Sequence, residues 1–109
     1  MRRLLAVIVA SLVLAAPAAA RVRLVSVTSP IPHGAYATLV ARVSRAARCS
    51  IIVYYKSGPS HAQGLYPKRT VAGRVSWTWK VGTRTTPGRW PIRVSCGAAG
   101  TLSTSFVVT

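Results

Sequence analysis

Apolar and polar residues alternate at every second position along most of this chain, the period of a strand buried on one face. From Arg74 to Val81 the apolar set is Val75, Trp77, Trp79 and Val81, which leaves Arg74, Ser76, Thr78 and Lys80 for the other side. Ala35, Ala37, Leu39, Ala41 and Val43 share one face of a second such segment. Small side chains there leave room for two indoles, so the pattern predicts Trp77 and Trp79 packed inward against Ala37, Leu39 and Ala41. Strands are predicted over Val22 to Thr28, Ala35 to Val43, Cys49 to Lys56, Lys68 to Ala72, Arg74 to Val81, Trp90 to Cys96 and Leu102 to Val108. Gly and Pro punctuate the connections, and no segment after residue 20 shows a helical period.

Seven short alternating strands predict an all-β chain folded as an immunoglobulin-like β-sandwich. Pro30-Ile31-Pro32-His33-Gly34 breaks the first pair, and Thr86-Pro87-Gly88-Arg89 has the Pro and Gly of a type II turn at its centre. Trp90 opens the sixth strand with Ile92, Val94 and Cys96 on its side, which predicts a core aromatic at the rim. In this arrangement the third and sixth strands are antiparallel neighbours. Cys49, at the start of one, then falls near Cys96, at the end of the other.

The start of the chain has a different texture. Met1-Arg2-Arg3 is positive, Leu4 to Ala16 is apolar apart from Ser11, and Pro17 precedes Ala18-Ala19-Ala20. This is the layout of a secretory signal peptide cleaved after Ala20. An uncleaved anchor is the alternative, but thirteen helical residues reach only about 20 Å of a hydrocarbon core of roughly 30 Å. The organisation expected is a signal peptide over 1–20 and one domain over 21–109. The domain would be secreted, either free or held at the cell wall, with no transmembrane span after cleavage. Cys49 and Cys96 are the two cysteines of the chain, and in an exported protein they predict one disulfide. A metal site built from them with His33 and His61 lacks any close ligand pair.

Charge narrows function further. The 109 residues hold fifteen Lys and Arg and no Asp or Glu, where an average domain of this length carries on the order of a dozen carboxylates. Without carboxylates there is no acid and base pair for glycoside hydrolysis, no oxygen-rich Ca²⁺ or Mg²⁺ site and no Ser-His-Asp triad. A dyad of His61 with Ser57 or Ser60 would have nothing anionic to orient its imidazole. The expectation is a protein that is not an enzyme and that uses neither a cofactor nor a metal.

The run C-S-I-I-V-Y-Y-K-S-G-P-S-H-A-Q-G-L-Y-P-K from Cys49 to Lys68, followed by G-R-V-S-W-T-W-K-V-G-T-R-T-T-P-G-R-W-P-I-R-V-S-C from Gly73 to Cys96, resembles a small Ig-like module of secreted bacterial proteins. The resemblance covers most of residues 21–109, through Trp77 and Trp79, Pro87 to Pro91 and the paired cysteines. It implies a stable, disulfide-linked accessory fold with no established catalytic role or ligand. Basicity points to a partner: an anionic polymer such as cell-wall phosphate polymer, acidic polysaccharide or nucleic acid bound without sequence preference. Arg23, Arg42, Arg74 and Lys80 on the outward faces are the candidate anion-binding residues. One alternative is a structural or protein-interaction module that uses the loop from Ser57 to Pro67 or a sheet edge to meet a protein partner. Another is a carbohydrate-binding platform of exposed tryptophans.

Overall fold

A computed structural model describes residues 21–109, and the predicted signal peptide, residues 1–20, lies outside the described residues. Eight strands are present among the described residues: β1 (Val22–Val27), β2 (Tyr36–Val43), β3 (Arg48–Tyr55), β4 (Gly58–Pro59), β5 (Lys68–Arg69), β6 (Arg74–Lys80), β7 (Gly88–Ser95) and β8 (Thr101–Val108). They form two antiparallel sheets. The first runs β1-β2-β6. The second runs β4-β3-β7-β8, with β5 pairing the start of β3. Among the described residues no helix is long and apolar enough to cross a membrane.

The inward positions of both sheets meet in one apolar core, and no polar or charged residue is buried among the described residues. Alternation produces this directly: in β6 Val75, Trp77 and Trp79 are buried between exposed Arg74, Ser76, Thr78 and Lys80. Trp79 stands opposite Ala37 and Trp77 opposite Leu39 on β2, and both indoles are 0% exposed. Each contributes roughly 4 kcal/mol of gross burial by area. Burying an indole also requires a partner for its N–H. Trp77 Nε1 donates to the Tyr66 carbonyl at 2.8 Å, and Trp79 Nε1 to the Tyr55 hydroxyl at 3.2 Å.

Cys49 and Cys96 are bonded, with sulfurs 2.07 Å and Cα atoms 4.1 Å apart. Ser50 pairs with Ser95, so Cys49 of β3 and Cys96, the residue just past β7, follow at the next opposed position. The disulfide therefore links neighbours within one sheet, and neither sulfur remains as a metal ligand.

Three features depart from the pattern. The predicted strand Lys68 to Ala72 shortens to Lys68–Arg69, because after pairing with β3 the chain must turn toward the other sheet, closing Val71 against Arg74. Ala72 and Gly73 at that turn have φ of +53° and +78°. The type II turn at Thr86 to Arg89 does not form as expected. Gly88 is already paired with Val108 at a φ of +152°, where a type II turn needs about +80°, and the chain reverses instead at Gly82 to Thr85. Ile31, assigned by pattern to a breaker segment, is 2% exposed and bridges Val108 in parallel. Its neighbours carry β1 across to the edge of the second sheet and cover part of β8. Trp90 lies at the rim of the core as the pattern predicts, partly covered by an edge contact from Tyr55 and donating its indole N–H to the Thr86 carbonyl at 2.8 Å.

Candidate functional site

Cross-strand register builds the charged face. Arg23 of β1 pairs with Arg42 of β2, and Arg42 pairs with Arg74 of β6, so three exposed arginines form one row across the outer face of the first sheet. Neighbouring strands lie about 4.8 Å apart, which holds the three Cα positions within about 10 Å. Like charges placed directly opposite destabilise a sheet. A chain without Asp or Glu has no internal carboxylate side chain to offset that cost.

The row continues beyond the sheet. Arg21 is pinned beside it by a hydrogen bond from its amide to Ser44 Oγ at 2.7 Å and by the Ser44 amide donating to its carbonyl at 3.0 Å. Arg21, Arg23, Arg42 and Ser44 line a small cleft of about 210 Å³. On the far side of the row, Arg74 shares a cleft of about 340 Å³ with Lys68 and Arg69, over an apolar floor that includes Val40 and Val75. Arg69 in turn pairs with Arg48 across β5 and β3. Arg45 sits in the connection between β2 and β3 at the same end. Eight of the thirteen Lys and Arg residues in 21–109 thus gather at one pole: Arg21, Arg23, Arg42, Arg45, Arg48, Lys68, Arg69 and Arg74.

Lys80 does not belong to this cluster. It pairs with Tyr36 at the opposite end of β6, six residues or about 20 Å from Arg74. Arg21, Arg48, Lys68 and Arg69 join the pole although alternation did not single them out. The signal for them lay in strand ends flanking the turns, legible only once the strand order is known. Lys68 is partly committed, donating from Nζ to the Ser76 carbonyl at 2.8 Å and lying 5.4 Å from the centre of the Tyr66 ring.

Guanidinium groups in a row are suited to planar, bidentate contacts with phosphate or carboxylate oxygens. Such contacts position a polymer backbone without reading its sequence. The two buried tryptophans, by contrast, expose no face for a sugar ring. His33 and His61 are both exposed in connecting segments. No protein-family model matches the chain, and no curated protein matches it.

Proposed function

We propose that this protein is a secreted, basic, immunoglobulin-like module without catalytic activity that adheres non-specifically to anionic polymers outside the cell. Cell-wall phosphate polymer, acidic polysaccharide and nucleic acid all present the required charge. The observation that carries this reading is the register Arg23, Arg42, Arg74: three like charges set side by side at a stability cost, with no acidic side chain available to balance them. The strand order supports the immunoglobulin-like reading, since the first two strands pair with β6 while β3, β7 and β8 form the facing sheet. The leader pattern and the disulfide support export.

Retention of the purified protein on cell wall, acidic polysaccharide and DNA at two salt concentrations tests the reading. Three phosphate contacts predict a log-log slope of about −2.7 on duplex DNA, or about a 40-fold loss of affinity between 50 and 200 mM salt. The Arg23→Ala, Arg42→Ala, Arg74→Ala variant is expected to lose that slope, while Lys80→Ala keeps it on DNA. Equal retention of parent and triple variant on all three supports, or retention indifferent to salt, overturns the proposal in favour of a structural or protein-interaction module.

A further inference from the structure

The end of the domain opposite the arginine row holds a groove of about 590 Å³, within the range of small-molecule sites. Tyr36 and Lys80, paired across β2 and β6, form one wall, and Tyr55, Ser60, His61 and Gln63 contribute the rest. Tyr36 is 66% exposed, a large aromatic face left uncovered at the mouth. Tyr55 is held from behind by the Trp79 indole N–H and by ring contacts with Trp90 and Phe106.

The segment around Ser60 is equally fixed. The Ser60 amide donates to the Val53 carbonyl at 2.7 Å and the Ala62 amide to Ser60 Oγ at 3.1 Å. Gly64 then presses its backbone so close to Thr78 that a Cβ there would run into the Thr78 carbonyl oxygen. A second trough of about 510 Å³ shares Tyr55, Ser57, Gly82 and Thr85 with the groove and extends it past Lys56 and Arg84. The combined channel therefore offers an exposed aromatic ring, hydroxyl, imidazole and amide groups, and three cations with no acidic side chain among its lining residues.

We infer that this groove binds an acidic saccharide, with one pyranose ring lying on Tyr36 and its carboxylate on Lys80. The ring face of a pyranose presents polarised C–H bonds, which suit the electron-rich face of an aromatic side chain. Its hydroxyls need the convergent donors and acceptors that Ser60, His61 and Gln63 bring. The cations at Lys80, Lys56 and Arg84 select a chain with repeated carboxylates over a neutral one. Tryptophans Trp77 and Trp79 play no part. The site is separate from the arginine row and does not rest on it.

The test is a titration of the purified protein followed by amide chemical shifts, using a galacturonic acid trisaccharide against a neutral galactose trisaccharide. About 0.3 M salt limits attraction by the distant arginine row. The expected result is saturable shifts at Tyr36, Lys80, Ser60 and His61, larger with the acidic trimer. Tyr36→Ala should weaken binding about fivefold or more, Tyr36→Trp should restore it, and Lys80→Gln should remove the preference for the acidic trimer. The Arg23→Ala, Arg42→Ala, Arg74→Ala variant should bind the trimer as the parent does, so this outcome is independent of adhesion at the other pole. Absence of saturable shifts in the groove, equal response to the two trimers, or loss of binding in the arginine variant overturns the inference.

Discussion

Arg42 and Arg74 stand directly opposite each other on β2 and β6, with Arg23 beyond Arg42 in the same row. Arg42 is thus flanked by a like charge on either side. Two repulsions relax when it is neutralised, each worth roughly 0.5 kcal/mol. Arg42→Thr should therefore raise the melting temperature by several degrees at low salt, while weakening retention on anionic supports. Thermal unfolding at low and high salt checks this, since screening should shrink the difference between variant and parent. A variant that is less stable than the parent at low salt would contradict it.

The disulfide closes a sequence separation of 47 residues. In the chain-entropy account such a closure stabilises the fold by about 4 kcal/mol, a large share of the stability of a small domain. Cys49→Ala with Cys96→Ala is expected to lower the denaturation midpoint strongly, and reductant should do the same to the parent while leaving the double variant unchanged. Denaturant titration of both proteins, with and without reductant, measures the effect.

The turn between β5 and β6 places Ala72 at a φ of +53°, a conformation that favours glycine or asparagine. Ala72→Gly or Ala72→Asn should stabilise the protein by about 0.5–1 kcal/mol. Gly73→Ala should act in the opposite direction, since Gly73 has a φ of +78°. A Cβ there would meet only the Val43 carbonyl oxygen at 3.6 Å, an ordinary contact. The cost of that change is therefore conformational. Melting temperatures of the three variants decide the matter.

Burial pushes the Tyr55 phenol above its ordinary value of 10.0, outweighing the hydrogen bond from Trp79 that favours the ionised form. The unfolded chain consequently loses this proton at a lower pH than the folded one. Stability from this group is complete below pH 10 and declines as pH rises through the higher folded value. Tyr55→Phe should flatten that part of the alkaline decline, at the expense of leaving the Trp79 indole N–H without its partner. Unfolding free energies measured from pH 8 to about 11 for both proteins should converge at the alkaline end.

The strands were legible because a period of two survives in the amino-acid order wherever one face of a sheet meets a core. The inward tryptophans, Trp79 opposite Ala37 and Trp77 opposite Leu39, followed from that period and from volume alone, while Ala41 stands opposite Val75. Ile31 was not legible. Its burial depends on β1 crossing to the edge of β8, a contact between positions 77 residues apart in the chain. The candidate site divides in the same way. Alternation places Arg23, Arg42, Arg74 and Lys80 on outward faces, but grouping them requires a register. Residues on one face of one strand can still lie at opposite ends of it, as Arg74 and Lys80 do.

Composition and local period, carried by each short segment independently, thus determined the all-β class, most strand positions, the inward tryptophans, the pairing of two lone cysteines and the surplus of positive charge. Strand order and register, which arise only when distant segments bury their apolar faces against one another, decided the rest. They aligned three arginines across one sheet, drew Arg48 and Arg69 to the same pole, and carried Lys80 to the far end beside Tyr36. The physical reason is that burial is a local tendency readable residue by residue, whereas the proximity of two exposed charges carries no local signature and is set by the packing of the core beneath them.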